Sequence, residues 1–529
     1  MKIISGSLFI LIIRGGLGPL AFADIGFVNS AWAMYPSDYD HLLRKGVPYY
    51  MNKEFTIKAA HRGKFDVIVC GAGTAGCAAA IAAARNGAKT LLIERSFAVG
   101  GMLTVGNAGI TKYTVHYTDK MEYRDKVLRV LGENPQSVQI AGGISKEYVD
   151  RMIAKGGAVA TEGQAGSYVF ADRYEAQWTL MDMLDEAGVE VLYDTKVCQP
   201  AMDGNEITGV LVFNKNGFSE YSATCVIDAT GDADVAVMAG AEYVTGVTQE
   251  DIDEGCGTYV GQALHNGCMF RVRGVDMKRL LEYVEKNQDR FIVHEFGVMM
   301  LDDVVDSTLR GEMSVYRIWL DLPNGSRVPM QIYNAPASDE ATLLPGNQKF
   351  MFDGVNAEAI SKGQHDLWRN VRQTLDHVKK TVPGFENARM CFLPDIGIRE
   401  TRRITGDYRL TGQDLLDGVD FEDSIGCGGH PVDIKPLRKD ILDHHYENWR
   451  FHMPYRIMLP KGIENLLVAG RSVSASRMAN GSIRPTVQCM VLGEAAGTAA
   501  AISVKDGVTC RQVDVAKLRK TLLDNGAVI

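Results

Sequence analysis

The rhythm of apolar residues along this chain changes at Phe65. Asp66-Val-Ile-Val-Cys70 is a short continuous apolar run of the kind shown by a strand buried on both faces. A glycine-rich turn follows, then an alanine-rich stretch from Cys77 to Arg85, then a second strand, Thr90-Leu-Leu-Ile-Glu94. Strand, turn, helix and strand within about 30 residues make a βαβ unit. Between Gly106 and Tyr168 the pattern reads as helical and more polar, broken at Gly142-Gly143 and Gly156-Gly157. Asp172 to Ala187 predicts an amphipathic helix whose apolar stripe runs through Tyr174, Trp178, Met181, Leu184 and Asp185. A strand at Val189–Tyr193 follows, then hairpin turns around Asp203-Gly204-Asn205 and Asn216-Gly217, then a strand at Thr224–Asp228.

From about Tyr243 to Phe392 the βα alternation is lost. Helical stretches (Met277–Asn287, Ala357–Val382) stand among alternating strands (Ser314–Leu320, Val328–Tyr333), as in an inserted α+β domain. The first pattern then returns with a buried strand, Asn465-Leu-Leu-Val-Ala469, and an alanine- and glycine-rich helix, Gln488–Ile502. The expected fold class is α/β, a Rossmann-type nucleotide-binding domain with an interleaved α+β substrate domain. The expected boundaries are 60–242 and 393–529 for the two parts of the nucleotide-binding domain, 243–392 for the substrate domain, and 1–50 for an N-terminal segment. No internal repeat appears, which argues against a solenoid.

Composition changes this picture little. At 529 residues the chain is too long for one simple core, and 46% apolar with 23% charged residues is ordinary for a globular protein. The net charge of −9, with no long run of Lys or Arg, argues against nucleic acid as a partner, since phosphate binding needs a concentrated basic face. Ten scattered cysteines show no CxxC pair and no metal-ligand spacing; Cys70, Cys225 and Cys489 lie in apolar runs and read as buried thiols. At the N-terminus, the apolar run from Ile3 to Ile13 is shorter than the roughly 20 residues a membrane span needs. Ala21-Phe22-Ala23 resembles a signal-peptidase site, so residues 1–23 are either an export signal or the start of a cytoplasmic protein. Met34 and Met51 are alternative starts; Arg14 and the unpaired cysteines favour the cytoplasm.

The first motif with chemistry is Gly71-Ala72-Gly73-Thr74-Ala75-Gly76, a GxGxxG set between a strand and a helix. Gly71 permits the tight turn, Gly73 lets backbone approach a pyrophosphate, and Gly76 lets helix and strand pack. The helix N-terminus then faces the phosphates, and Glu94 ends the second strand where a carboxylate accepts from a ribose, with Arg95 beside it. These features suit NAD as well as FAD. FAD is the longer molecule and needs contacts from distant segments, and three are present. Gly100-Gly101-Met102-Leu103 is flexible backbone suited to lie beside a flavin ring. Ala229-Thr230-Gly231 ends a strand in a small-residue turn. Gly470-Arg471 ends the late strand and leads to Gly493 and Ala495 in a helix whose N-terminus suits negative charge on a reduced flavin.

With these motifs the chain resembles the FAD-dependent oxidoreductases that carry a glutathione-reductase-type cofactor domain, the group that includes fumarate reductase flavoproteins, and within it a largely uncharacterised bacterial branch. The resemblance runs from Lys64 to Ile502. It rests on the turn at 71–76, Ile227-Asp-Ala-Thr-Gly-Asp-Ala-Asp234, Gly397-Ile-Arg-Glu-Thr-Arg-Arg403, Met453-Pro-Tyr-Arg456, and Asn465-Leu-Leu-Val-Ala-Gly-Arg-Ser472 leading to Ala495-Ala-Gly-Thr-Ala499. It implies non-covalent FAD, with Glu94 on the adenosine ribose and Val197 near the adenine. Many relatives have an aspartate after the late-strand glycine, where it holds the ribityl chain; this chain has Arg471. No second GxGxxG follows a strand and no CxxxxC pair sits beside the first helix, so a substrate or an electron donor or acceptor must meet the flavin directly.

For catalysis, Arg399, Arg402 and Arg403 put three guanidiniums in one short stretch. They clamp an anionic or polyhydroxylated substrate or, equally well, salt-bridge two domains. Arg399 is placed nearest the flavin by the resemblance. His430, in a glycine-rich loop, has the pKa range for a proton shuttle, against the alternative of a loop histidine without that duty. His452 with Arg456 forms a further candidate cluster; His444 and His445 read as solvated surface, and the 22 methionines as core filler. Arg477, Asn480 and Arg484 are expected in a loop that passes the flavin. The leading expectation is a dehydrogenase or oxidase acting on a small molecule, with no metal. The alternatives are reduction of an activated double bond in a carboxylate, a flavin-dependent isomerase or hydratase without net redox, and an NAD-dependent dehydrogenase.

Overall fold

A computed structural model describes residues 56–106, 110–111, 114–117, 136–163, 166–263, 266–267, 269–287, 314–321, 327–334, 339–344, 352–430, 432–434 and 450–529. The N-terminal segment with its export signal and alternative starts, and His444 and His445, lie outside these residues.

The apolar run before the glycine turn forms β1 (Ala60–Cys70), whose last residues are fully buried, and the alanine-rich stretch forms α1 (Thr74–Arg85). β2 (Thr90–Ile93) pairs parallel with β1, and β3 (Glu190–Leu192) parallel with β2. β4 (Lys196–Asp203), β5 (Glu206–Asn214) and β6 (Gly217–Asp228) form an antiparallel meander through the two expected turns. The sheet order is β3-β2-β1-β6-β5-β4.

Between β2 and β3 the chain forms α2 (Gly143–Ala154) and α3 (Arg173–Ala187), and among the described residues of 106–168 the helical reading holds only for α2. Short strands at Ile110–Thr111, Thr114–Tyr117, Gln136–Gln139, Ala158–Gly163 and Gly166–Ala171 occupy other parts of it. Polar residues in an antiparallel hairpin carry little periodicity, so the pattern misled there. The stripe on α3 is also displaced. Ala176, Thr179, Leu180, Met183 and Leu184 are buried, whereas Tyr174 and Trp178 are 53% and 57% exposed and meet each other at 6.4 Å. Their i,i+4 spacing brings the rings together on the outer face.

The next segment builds a second sheet from β7 (Phe270–Arg273), β8 (Ser314–Asp321), β9 (Arg327–Asn334), β10 (Ala341–Leu344) and β11 (Arg389–Phe392). Its order is β8-β9-β10-β7-β11, all antiparallel. The long helix α4 (Ala357–Thr381) adds Leu367, Val371 and Val378 to a core shared with Phe270, Val272 and Leu343.

The chain returns through the hairpin of β12 (Ser424–Gly428) and β13 (Phe451–Pro454), and β14 (Leu466–Val468) completes the first sheet beside the end of β6. α5 (Arg477–Ile483), α6 (Thr486–Asp506) and α7 (Val515–Asp524) follow. α6 is long and apolar enough to cross a membrane, yet 94% of its apolar window is buried inside the protein. Its glycines explain how: a Cβ at Gly493 would lie 2.1 Å from the Ala75 carbonyl, and one at Gly497 would lie 2.0 Å from that of Ala79. Two glycines on one face let α6 rest directly on the α1 backbone. α6 is therefore the central core helix, locking the dinucleotide turn from behind.

Candidate cofactor and substrate site

The turn leaving β1 is built for glycine. Gly71 has φ +99°, and a Cβ there would stand 2.6 Å from the Ala229 carbonyl oxygen. A Cβ at Gly76 would meet the Gly71 carbonyl at 1.8 Å, so the first turn of α1 can form only with glycine there. Gly73 differs: it opens α1 with no side-chain cap, and a Cβ there would have nothing within 4 Å among the described residues. A helix N-terminus carries unsatisfied N–H groups and partial positive charge. An uncapped one facing free space, at Thr74 and Ala75, suits a phosphate.

The Gly100–Leu103 loop closes over this turn. The Gly100 N–H donates to the Ala72 carbonyl at 2.7 Å, and a Cβ at Gly101 would sit 3.0 Å from Gly73 Cα. Leu103 turns into the core while the Met102 methyl reaches toward Gly397, where a Cβ would be 2.9 Å away. Glu94 ends β2 almost buried. Its carboxylate accepts from the Ala72 N–H at 2.7 Å and from the N–H and hydroxyl of Ser96 at 2.9 and 2.8 Å. A carboxylate has about four acceptor sites, so one stays available for a ribose hydroxyl. The Glu94 carbonyl also receives the Thr195 N–H at 3.0 Å, which sets the start of β4 and Val197, paired with Val212, beside it.

Asp228 holds the second loop from inside. Buried, and raised in pKa by that burial, it accepts from the Thr230 N–H and hydroxyl at 3.0 and 2.6 Å and from the Ala236 N–H at 2.8 Å. Ala229 and Thr230 thereby pass directly over Gly71. Gly470, at φ +93°, rests on Ala75, where its Cβ would be 3.3 Å away, and delivers Arg471 to the same place. Arg471 crosses Gly231 and donates to Asp232 at 2.6 Å. Its Nε is buried without a hydrogen-bond partner among the described residues. The exposed Arg95 contributes positive charge to this corner.

The 399–403 stretch divides. Arg403 is buried with Glu400, Asp251 and Arg477: Arg403 pairs with Glu400 and lies 3.5 Å from Asp251, while Arg477 Nε donates to Glu400 at 3.1 Å. Arg402 pairs with Asp234 at 3.1 Å. These are the salt bridges of the structural reading. Arg399 points elsewhere, to Asp433 at 3.4 Å, where Arg484 also arrives at 2.6 Å. Burial pushes the Asp433 carboxyl up, but Arg484, Arg399 and then His430 outweigh it and hold the group below the usual carboxylate range. The Asp433 side chain keeps 40% of its surface exposed, so solvent reaches the cluster. Arg484 Nε is buried and has no hydrogen-bond partner among the described residues. The cluster adjoins the turns described above, since Cys489 feels both Arg471 and Arg484 and receives a Cβ at Gly470 at 4.0 Å.

Other expected residues sit differently. Arg477, Asn480 and Arg484 are not in a loop: the first two lie in α5 and Arg484 caps it, because Ser476 caps its N-terminus and Pro485 breaks it from α6. Gly493 and Ala495 are buried within α6, two turns past its start, and serve helix packing. His452 faces Ser424 Oγ at 3.3 Å and Asp420 at 3.8 Å, and Arg456 pairs with Asp423 at 2.9 Å, both beside the β12–β13 hairpin. The structure thus brings Arg399 and His430 together and sets His452 and Arg456 with other partners. Asp433 carries no motif in the sequence. Asp232 did carry a signal, within Ile227–Asp234, but its partner is 239 positions away.

The open space at Gly73, the uncapped start of α1 and the unpartnered Nε of Arg471 fit a diphosphate-bearing cofactor, and the converging loops fit an elongated one. The chain shows 26% identity over 230 residues to the NADH:fumarate oxidoreductase of Klebsiella pneumoniae, covering 36% of this chain and 23% of that protein. It is 30% identical over 168 residues to digeranylgeranylglycerophospholipid reductase 2 of Methanopyrus kandleri, 32% of this chain and 38% of that one. It is 27% identical over 208 residues to a fumarate reductase (cytochrome) of Shewanella frigidimarina, 34% of this chain and 35% of that one. The match thus spans well under half the length of each of these relatives. A solved geranylgeranyl bacteriochlorophyll reductase-like structure from Thermoplasma acidophilum superposes over 88% of this chain and 84% of its own, at 13% identity and a TM-score of 0.40. The model of the FAD dependent oxidoreductase family matches residues 66–522, nearly the whole described chain, and the protein belongs to that family.

Proposed function

We propose that this FAD-dependent oxidoreductase transfers a hydride between FAD and a small organic anion, which Arg399 and Arg484 bind and for which His430 moves the proton. The observation that carries this reading is the convergence of two guanidiniums, from separate segments, on one solvent-reachable carboxylate, that of Asp433. Guanidiniums present five donors in a fixed fork, and Arg484 Nε has no acceptor among the described residues, so Arg484 retains capacity for an oxygen of a carboxylate or polyol. His430 lies close enough to Asp433 to influence its ionisation, which suits a group that takes a proton from an alcohol or amine as its C–H leaves as hydride. FAD, when bound, supplies the hydride acceptor or donor.

In this reading the diphosphate lies at Gly71, Gly73, Thr74, Ala75 and Gly76, the adenosine at Glu94 and Val197, and the rest of the cofactor between Gly100–Leu103 and Ala229–Gly231. A second reading runs the reaction in reverse, reducing an activated double bond in a carboxylated substrate; similarity to two fumarate reductases supports it.

The test is anaerobic mixing of the purified protein with carboxylates, sugar acids and hydroxylated rings. Bleaching of the flavin band by a member of these classes is expected; reoxidation of dithionite-reduced protein by an unsaturated acid supports the reverse direction. Product formation at constant absorbance would point instead to an isomerase. Colourless protein that gains no absorbance with added FAD would end both readings.

A further inference from the structure

Arg471 occupies the position after the glycine that ends β14, where the resemblance noted above leads to an aspartate. We infer that Arg471 and Asp232 act as one charge-reversed unit, in which the Arg471 guanidinium binds the diphosphate of FAD and Asp232 pins it from the facing loop. The inference deepens the cofactor assignment and rests on it.

Three observations support it. Arg471 lies across Gly231, where a Cβ would be 3.3 Å from its guanidinium carbon, and the residue before it packs on Ala75 in the first turn of α1. The guanidinium is thereby at the same corner as the uncapped helix start. It is also held in place: Asp232 accepts from it at 2.6 Å and from the Thr401 hydroxyl at 2.7 Å, while the Arg471 carbonyl accepts from the Asn480 amide at 2.7 Å. Finally, its Nε has no hydrogen-bond partner among the described residues, a cost that an anion held by the guanidinium offsets.

The chemistry selects the diphosphate over the ribityl chain. A guanidinium only donates, and its planar fork matches phosphate oxygens. The acceptor that an aspartate after the glycine would offer comes here from Asp232, already engaged by two donors. With Arg95 nearby, the corner holds two guanidiniums to face the two negative charges of a diphosphate.

The experiment compares binding of FAD, ADP and riboflavin to the deflavinated full-length chain, read by fluorescence and calorimetry. Arg471→Met is expected to weaken FAD and ADP alike by about 10- to 100-fold, to leave riboflavin unchanged, and to flatten the salt dependence of ADP binding. Arg471→Lys, which keeps a point charge, falls between. Asp232→Asn, which keeps an acceptor but loses the charge that pins Arg471, is expected to weaken ADP binding less than Arg471→Met does. Loss of FAD affinity in Arg471→Met with ADP unchanged within about twofold overturns the inference in favour of a ribityl contact. Unchanged affinities for both overturn it in favour of a purely structural arginine. If Arg471→Met fails to fold, a Lys variant that binds ADP as the parent does counts against it. Failure of the parent protein itself to bind FAD would instead strike the cofactor assignment.

Discussion

The Glu494 carboxylate, on the central helix α6, accepts the Ile144 backbone N–H at 3.0 Å and so caps the N-terminus of α2 from 350 residues away. The residue before Ile144 must be glycine, since a Cβ at Gly143 would lie 2.3 Å from that carboxylate. α2 has no side-chain cap of its own, and Glu494 takes that part.

Burial raises the Glu494 pKa to about 7 against the opposing effect of the Ile144 hydrogen bond. In the unfolded chain the group titrates near 4.5. Its contribution to stability is therefore complete below pH 4.5 and declines as pH rises toward 7, by about 3 kcal/mol in all. Glu494→Gln keeps an acceptor for Ile144 without this titration. Urea midpoints should show the variant gaining on the parent between pH 5 and pH 8; parallel pH profiles would refute the coupling.

Gly73→Ala and Gly493→Ala should separate binding from packing. The first adds a methyl to free space at the start of α1 and leaves thermal stability nearly unchanged, while FAD affinity falls. The second forces a methyl against the Ala75 carbonyl and destabilises the fold by roughly 1–3 kcal/mol. Equal melting temperatures for the two deflavinated variants would contradict the packing account.

Within the 399–403 stretch, Glu400→Gln leaves Arg403 and Arg477 buried without their shared counter-charge and should cost about 3–5 kcal/mol. Arg402→Ala, which breaks a pair with the half-exposed Asp234, should change the melting temperature little. Chemical denaturation of both variants, alongside the parent, tests this ordering.

Arg399→Met and Arg484→Met should raise KM for the anionic substrate about 10- to 100-fold while the flavin spectrum stays as in the parent. His452→Ala, whose partners include Ser424, Cys427 and Asp420, should leave KM and flavin bleaching intact. Steady-state kinetics on the substrate found by bleaching decides both; a large kinetic defect in His452→Ala would move the substrate site to the β12–β13 hairpin.

Local sequence determined the framework of this protein. Continuous apolar runs, glycine spacing and a terminal carboxylate act over one or two turns of chain, so β1, α1, β2 and the positions of Gly71, Gly76 and Glu94 were legible from the residues alone. Tertiary structure decided which charges meet. Arg399, Arg402 and Arg403 are adjacent yet end on Asp433, Asp234 and Glu400, because strand and loop directions send them to different neighbours. Arg471 and Asp232, and α6 with α1, come together only once the late strand joins the sheet. Ion pairing and helix contact depend on distance in space and on exclusion of water, and neither is written in the spacing of residues along the chain.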